Sequence, residues 1–294
     1  MQDGRASHTA RYMALFRAIE STRRPGRRLF HDPLARLFLS PKLRLAAAVV
    51  AVPLIGNIIP WILDLFWPGA RTSAIARTRF IDDRLRRALQ EGYNQVVILG
   101  AGFDSRPYRM AELANTTVIE VDHPATSREK QRALRSGIHG LPLNVQFLEI
   151  DFNAEGLQNA MQRVAFDPLA PTVIVWEGVT NYLAEEAVDS TFQSLRAIFA
   201  RCLVLFTYIN RAVLESSGSF DGTSSVEQRL KKVGERWTFG FDPAALPVYL
   251  GARGYDLLED VGSVQYRTAY LPTRRRLLRG YEFYRIAAAQ SGEA

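Results

Sequence analysis

Four apolar runs in this chain stop at carboxylates, and those acids are the residues best placed to do chemistry. Val96 to Leu99 runs into Gly100-Ala101-Gly102-Phe103-Asp104-Ser105; Thr117-Val118-Ile119-Glu120-Val121-Asp122 ends in two acids; Val145 to Ile150 gives way to Asp151-Phe152; and Thr172 to Trp176 gives way to Glu177-Gly178. Val96 to Leu99 is a short continuous apolar run, which suits a strand covered on both faces of a parallel sheet. In a doubly wound sheet the ligand lies across the carboxyl ends of the strands, which is where these acids fall. Carboxylates accept hydrogen bonds, so they can address a ribose diol, an amino group or an ammonium. Only His123 stands among them as a further metal ligand, so no metal is expected.

Gly100 and Gly102 let the backbone turn tightly and approach a ligand where a Cβ would collide. A dinucleotide fingerprint would place a third glycine at position 105 to bring a pyrophosphate to the helix N-terminus. This chain has Asp104 and Ser105 there. A carboxylate facing the turn repels phosphate and suits a cationic amine, such as the methionine end of S-adenosylmethionine.

The elements that would position these residues alternate strand and helix. Helices are predicted from Ser7 to about Thr22, from Thr72 to about Gln90, and over Pro124–Ser136, Leu157–Val164 and Glu185–Ala200. Strands are predicted at Gln95–Leu99, Thr117–Val121, Val145–Ile150, Thr172–Trp176 and Leu203–Ile209. Tyr255–Asp260 and Tyr281–Ile286 read as an antiparallel pair at the sheet edge, without a long helix between them. Leu45 to Phe66 has the length of a membrane span, but Pro53, Gly56, Asn57, Pro60 and Asp64 interrupt it. Each proline removes a helix hydrogen bond that lipid could not replace. Two short apolar helices joined by a bend near Pro53–Pro60 are expected, serving as extra core or as a lid over an apolar substrate, with a peripheral membrane contact as a third reading behind these two.

With 294 residues and no repeat or linker, a single domain over 1–294 is expected, with a helical cap over 1–90 and a cofactor-binding core over 91–294. The lone Cys202 excludes an intramolecular disulfide and lies in an apolar run, as a core thiol would. The net charge of +7 is dispersed through helices that also carry acids, which fits a solvated basic surface better than a nucleic-acid site. The first residues show no signal peptide, and a cytoplasmic location is expected.

Ala76-Arg77-Thr78-Arg79-Phe80-Ile81-Asp82-Asp83, the Val97 to Arg106 block, Glu120-Val121-Asp122-His123-Pro124 with Lys130, and Trp176-Glu177-Gly178-Val179-Thr180-Asn181-Tyr182-Leu183 together resemble the leucine carboxyl methyltransferase family. His31-Asp32-Pro33 matches its early Asp-Pro element, and the likeness runs from about Arg11 to Tyr208 with a weaker echo at Trp237–Pro243. The resemblance implies a class I, Rossmann-like methyltransferase fold: an α/β, mostly parallel seven-stranded sheet with an antiparallel edge hairpin and an N-terminal helical lid. It implies S-adenosylmethionine as cofactor and S-adenosylhomocysteine as product. It also implies that Arg77, and with it Arg11, meets the methionine carboxylate, Gly100 lines the methionine end, Asp122 takes the ribose hydroxyls, Asp151 the adenine, and Glu177 lies near the ammonium. Ala101, Gly102, Asp104, His123 and Phe152 complete the expected cofactor contacts.

The expected acceptor is a small apolar carboxylic acid, since a carboxylate is already ionised near neutral pH and needs only to be aimed. A phenol or alcohol would need a base, for which His31, His123 and Glu177 are the candidates. Tyr182, Tyr208, Arg211 and Trp237 are the candidate acceptor contacts. A nicotinamide-dependent oxidoreductase and a nucleic-acid-binding module that kept the fold stand as alternatives, and a homo-oligomer is compatible with the sequence.

Overall fold

The computed structural model describes residues 8–52, 58–151, 155–215, 220, 223–232, 234–272 and 280–291. Its centre is a seven-stranded sheet built from β1 (Gln95–Leu99), β2 (Thr117–Asp122), β3 (Val145–Glu149), β4 (Thr172–Trp176), β5 (Cys202–Ile209), β6 (Tyr255–Gly262) and β7 (Tyr284–Ser291). The spatial order is β3-β2-β1-β4-β5-β7-β6. The first five strands pair in parallel, and β7 pairs antiparallel with both β5 and β6. The chain turns outward from β1 in both directions, which opens the ligand crevice beside the carboxyl end of β1.

Every residue of β1, β4 and β5 is buried, as their β-branched and apolar composition demands in a sheet covered on both faces. One face carries Val97, Ile119, Ile174 and Phe206 against α7 (Leu157–Met161) and α8 (Glu185–Ile198). The other carries Val96, Ile98, Val173 and Leu205 against α4 (Ala70–Gln90). Along α4 the buried stripe includes Ile75, Thr78, Ile81 and Leu85, and Gly92 lies at φ +93° just beyond the helix end. Cys202 is a buried free thiol at the start of β5.

The N-terminal part of the chain, expected as a cap, contributes α1 (His8–Ser21), α2 (Pro41–Val50) and α3 (Ile58–Phe66) ahead of α4. The bend expected between α2 and α3 includes 53–57, which lie outside the described residues. Pro60 is inside the first turn of α3 and so no part of a bend; a missing N–H there breaks no helical bond.

The two late strands differ most from expectation. β7 begins three residues later than read and runs on through Ala287-Ala288-Ala289 to Ser291. Alanine has weak strand preference, so it is the ladder on each side that extends this segment. β7 is also interior, leaving β6 as the edge, and a helix over Ser263–Tyr270 packs between them on α4.

Candidate functional site

Gly100 and Gly102 adopt φ of +62° and +44°, the left-handed region in which a side chain is strained. A Cβ on Gly100 would also collide with Cγ2 of Val179, from the loop after β4. The turn is closed by the Ala101 amide donating to Val121 O at 3.0 Å and the Asp104 amide donating to Ala101 O at 2.7 Å. Asp122 completes it: one carboxylate oxygen accepts from the Gly102 amide and the other from the His123 amide at 2.6 Å. Burial pushes the Asp122 carboxyl above its ordinary range, and these two backbone donors oppose that. His123 caps α6 (Pro124–Arg135), its Nδ1 accepting from the Ala125 amide. Asp151 follows β3, half-buried, while Phe152 lies outside the described residues.

The other acids of the rim are already paired. Arg106, at the start of α5 (Arg106–Arg109), donates through Nε to Asp82 at 2.8 Å, through one terminal nitrogen to Asp104, and through the other to Glu177 at 2.8 Å. Arg109 grips both oxygens of Asp82 at 2.8 Å, and Arg77 Nε donates to the second oxygen of Glu177 at 2.8 Å. Three carboxylates and three guanidiniums therefore share one buried, charge-balanced network, in which a planar fork can reach partners that an ammonium could not. Burial would raise Asp104, but Arg106 pulls it down to about 2. Burial would likewise raise Glu177, and Arg106 and Arg77 hold it below the usual carboxylate range.

Because the folded pKa of Asp104 lies below its unfolded value, its contribution is present above pH ~4 and is lost as pH falls towards ~2. Asp104→Asn should thus lose stability at pH 6, and the deficit against wild type should narrow as pH falls from 4 towards 3. Urea unfolding at a series of pH values checks this, and a deficit independent of pH would contradict it.

Glu120 leaves the rim altogether. It points into the core beneath the turn, where Lys130 Nζ donates to it at 2.8 Å and Tyr108 at 3.1 Å; burial raises its carboxyl to about 7 against the pull of Lys130. Arg11 is drawn to α6, where it pairs with Glu129 at 2.7 Å. The face of the Arg77 guanidinium covers the Tyr284 ring at 4.7 Å, and a terminal nitrogen meets Met13 Sδ at 3.6 Å.

Of the candidate acceptor contacts, Tyr182 and Trp237 come together in an apolar cluster with Phe283 and Tyr284. Tyr208 is fully buried, hydrogen-bonded to Asp260 at 2.8 Å and to Arg285 at 3.0 Å, which explains its place as a packing residue. Arg211 is exposed and pairs with Glu185. Sequence reading missed Asn181. This fully buried side chain accepts from Tyr284 Oη at 3.1 Å, while its Nδ2 has no acceptor among the described residues. Arg106 was quoted in a motif but given no role. Its one local signal in the sequence is Asp104, two residues before it, and its partners at 82 and 177 are too distant in sequence for spacing to disclose.

The strand order, the glycine turn and the acid closing β2 are those of a class I methyltransferase fold. The profile of the leucine carboxyl methyltransferase family matches residues 10–196, and the chain belongs to that family. It is 34% identical over 196 residues to a Frankia alni protein provisionally named an S-adenosyl-L-methionine-dependent methyltransferase, covering 65% of this chain and 64% of the relative. A Streptomyces coelicolor protein with the same provisional name is 36% identical over 186 residues, covering 62% of this chain and 61% of the relative. The chain thus spans somewhat less than two thirds of the length of each. The fold is similar to that of a DUF574 family protein from Streptomyces avermitilis, with a TM-score of 0.60 at 13% identity over 99% of both chains. No helix among the described residues is long and apolar enough to cross a membrane.

Proposed function

We propose that this chain is an S-adenosylmethionine-dependent O-methyltransferase that esterifies the carboxyl group of a small apolar metabolite. The residues fit the cofactor: the Gly100 turn has room only for backbone, and Asp122 is held in place by two amides with lone pairs to offer a diol. Ser105, where a dinucleotide fingerprint would have glycine, is buried with its Oγ donating to Asp32, which disfavours the nicotinamide alternative. Arg77 retains donors for a carboxylate beyond the one given to Glu177. When bound, the sulfonium supplies an activated methyl group; the chain's own task is to hold donor and acceptor in line and exclude water.

The observation that carries the choice of acceptor is the state of Glu177. Clamped by Arg77 and Arg106, it is a weak base, and His31 is exposed while the Nδ1 of His123 serves as a helix cap. A carboxylate acceptor requires no base, whereas a phenol does. Tyr182, Trp237 and Asn181 are the proposed acceptor contacts: the first two share an apolar cluster with Tyr284, which faces Arg77 and bonds Asn181.

The test has two arms. Thermal unfolding with S-adenosylhomocysteine or NAD reads the cofactor, because a ligand selective for the native state raises the midpoint. Transfer of labelled methyl to benzoate, cinnamate and octanoate, compared with phenol and octanol, reads the acceptor. Methyl esters release methanol in alkali and methyl ethers do not. Label released by alkali, with a rate flat between pH 6 and 8, is the expected result; alkali-stable label would overturn the carboxyl reading and leave the cofactor arm standing.

A further inference from the structure

The outer face of the helical cap has no partner within the fold. Along α3, Ile59 and Leu63 pack on the core of the cap, while Ile58, Trp61 and Leu65, at i, i+3 and i+7, form a stripe turned to solvent. Trp61 is 64% exposed, Leu65 58% and the neighbouring Phe66 62%. α2, which packs on α3, repeats the arrangement: Leu43, Ala47 and Val50 face inward and Leu45 is 68% exposed. So many large apolar side chains open on one pair of helices mark an interaction surface.

The charge of this region identifies what it meets. Residues 22–69 hold seven arginines and lysines against two aspartates, although the whole chain is only +7. Both aspartates are neutralised from outside the segment, Asp32 by Arg17 and Asp64 by Arg71. Arg36, just before α2, and Lys42 and Arg44, on it, are exposed and have no acidic partner among the described residues. Tryptophan, leucine and phenylalanine beside uncompensated cations are the combination that settles helices into the headgroup layer of an anionic bilayer. Neither helix can cross it: the two have ten and nine residues.

We propose that α2 and α3 form a peripheral docking surface for an anionic phospholipid bilayer, with Trp61, Leu65 and Phe66 entering the headgroup region and Lys42 and Arg44 meeting lipid phosphates. The contact holds the cap side of the protein against the membrane, where an apolar acceptor would be concentrated. The proposal does not depend on which acceptor is methylated.

Co-sedimentation with phosphatidylcholine vesicles, with and without phosphatidylglycerol, tests it on the full chain. Wild type should bind the anionic vesicles at least about tenfold more tightly than the neutral ones, and high salt should weaken that binding. Trp61→Asp with Leu65→Asp should abolish the binding and Lys42→Glu with Arg44→Glu should weaken it by about tenfold or more. All four positions are exposed, so unfolding midpoints and S-adenosylhomocysteine binding should stay at wild-type values, which separates lost docking from lost folding. Equal binding to both vesicle types, no binding, or binding that survives the Trp61 and Leu65 changes would overturn the proposal. So would a dimer in sedimentation that dissociates when Trp61 and Leu65 are changed, since a second copy would then be the occupant.

Discussion

Arg106→Met is expected to destabilise the protein by about 3–5 kcal/mol, the range for breaking a buried ion pair from one side. The arginine is fully enclosed and serves Asp82, Asp104 and Glu177 at once. Its removal leaves three carboxylates with two guanidiniums, and methionine fills the volume without answering any of them. Arg106→Lys should recover only a part, because one ammonium cannot span three partners placed around a planar fork. Urea unfolding at pH 7 provides the measurement. A loss below about 1 kcal/mol would mean that the pocket relaxes or admits water, and that the network is no more valuable than a surface pair.

Asp122→Ala is expected to weaken S-adenosylhomocysteine binding by about 10–100-fold, equivalent to about 1.4–2.8 kcal/mol. Folding should change far less. Asp122 is half-buried at the rim, so water can take up the Gly102 and His123 amides that it leaves. Calorimetric titration and thermal unfolding, run together on the variant, separate the two effects. Unchanged affinity would show that the diol is held elsewhere; a collapse of stability equal to that of Arg106→Met would show that Asp122 serves the turn and not a ligand.

The contrast between these two residues shows what the sequence discloses. Asp122 is readable because local order determines it: a β-branched run, an acid at its end and a capped helix after it fix where the carboxylate lies. β1 and β4 are readable for the same reason, since burial on both faces demands an uninterrupted apolar run. The state of Glu177 is not readable. Its partners are 100 and 71 residues away in sequence, so an acid that looks available at a strand end is already claimed by two arginines in space. Glu120 misleads similarly: it shares a strand face with Asp122, but the Lys130 ammonium from α6 draws it into the interior. The position of β7 depends on two ladders to which its three alanines contribute little of their own preference.

That interior position also governs the order of assembly during translation. Among the described residues β6 joins the sheet's backbone ladder only through β7, and β5 likewise has no ladder partner on that side until Tyr284–Ser291 has left the ribosome. The parallel half can form while synthesis continues, but β5 then presents to solvent an open edge of unpaired backbone groups on a mostly apolar strand. A nascent chain stalled after β6 would therefore be a substrate for holdase chaperones, and its exposed edge would offer a pairing site to the same strand of a neighbouring polysome product.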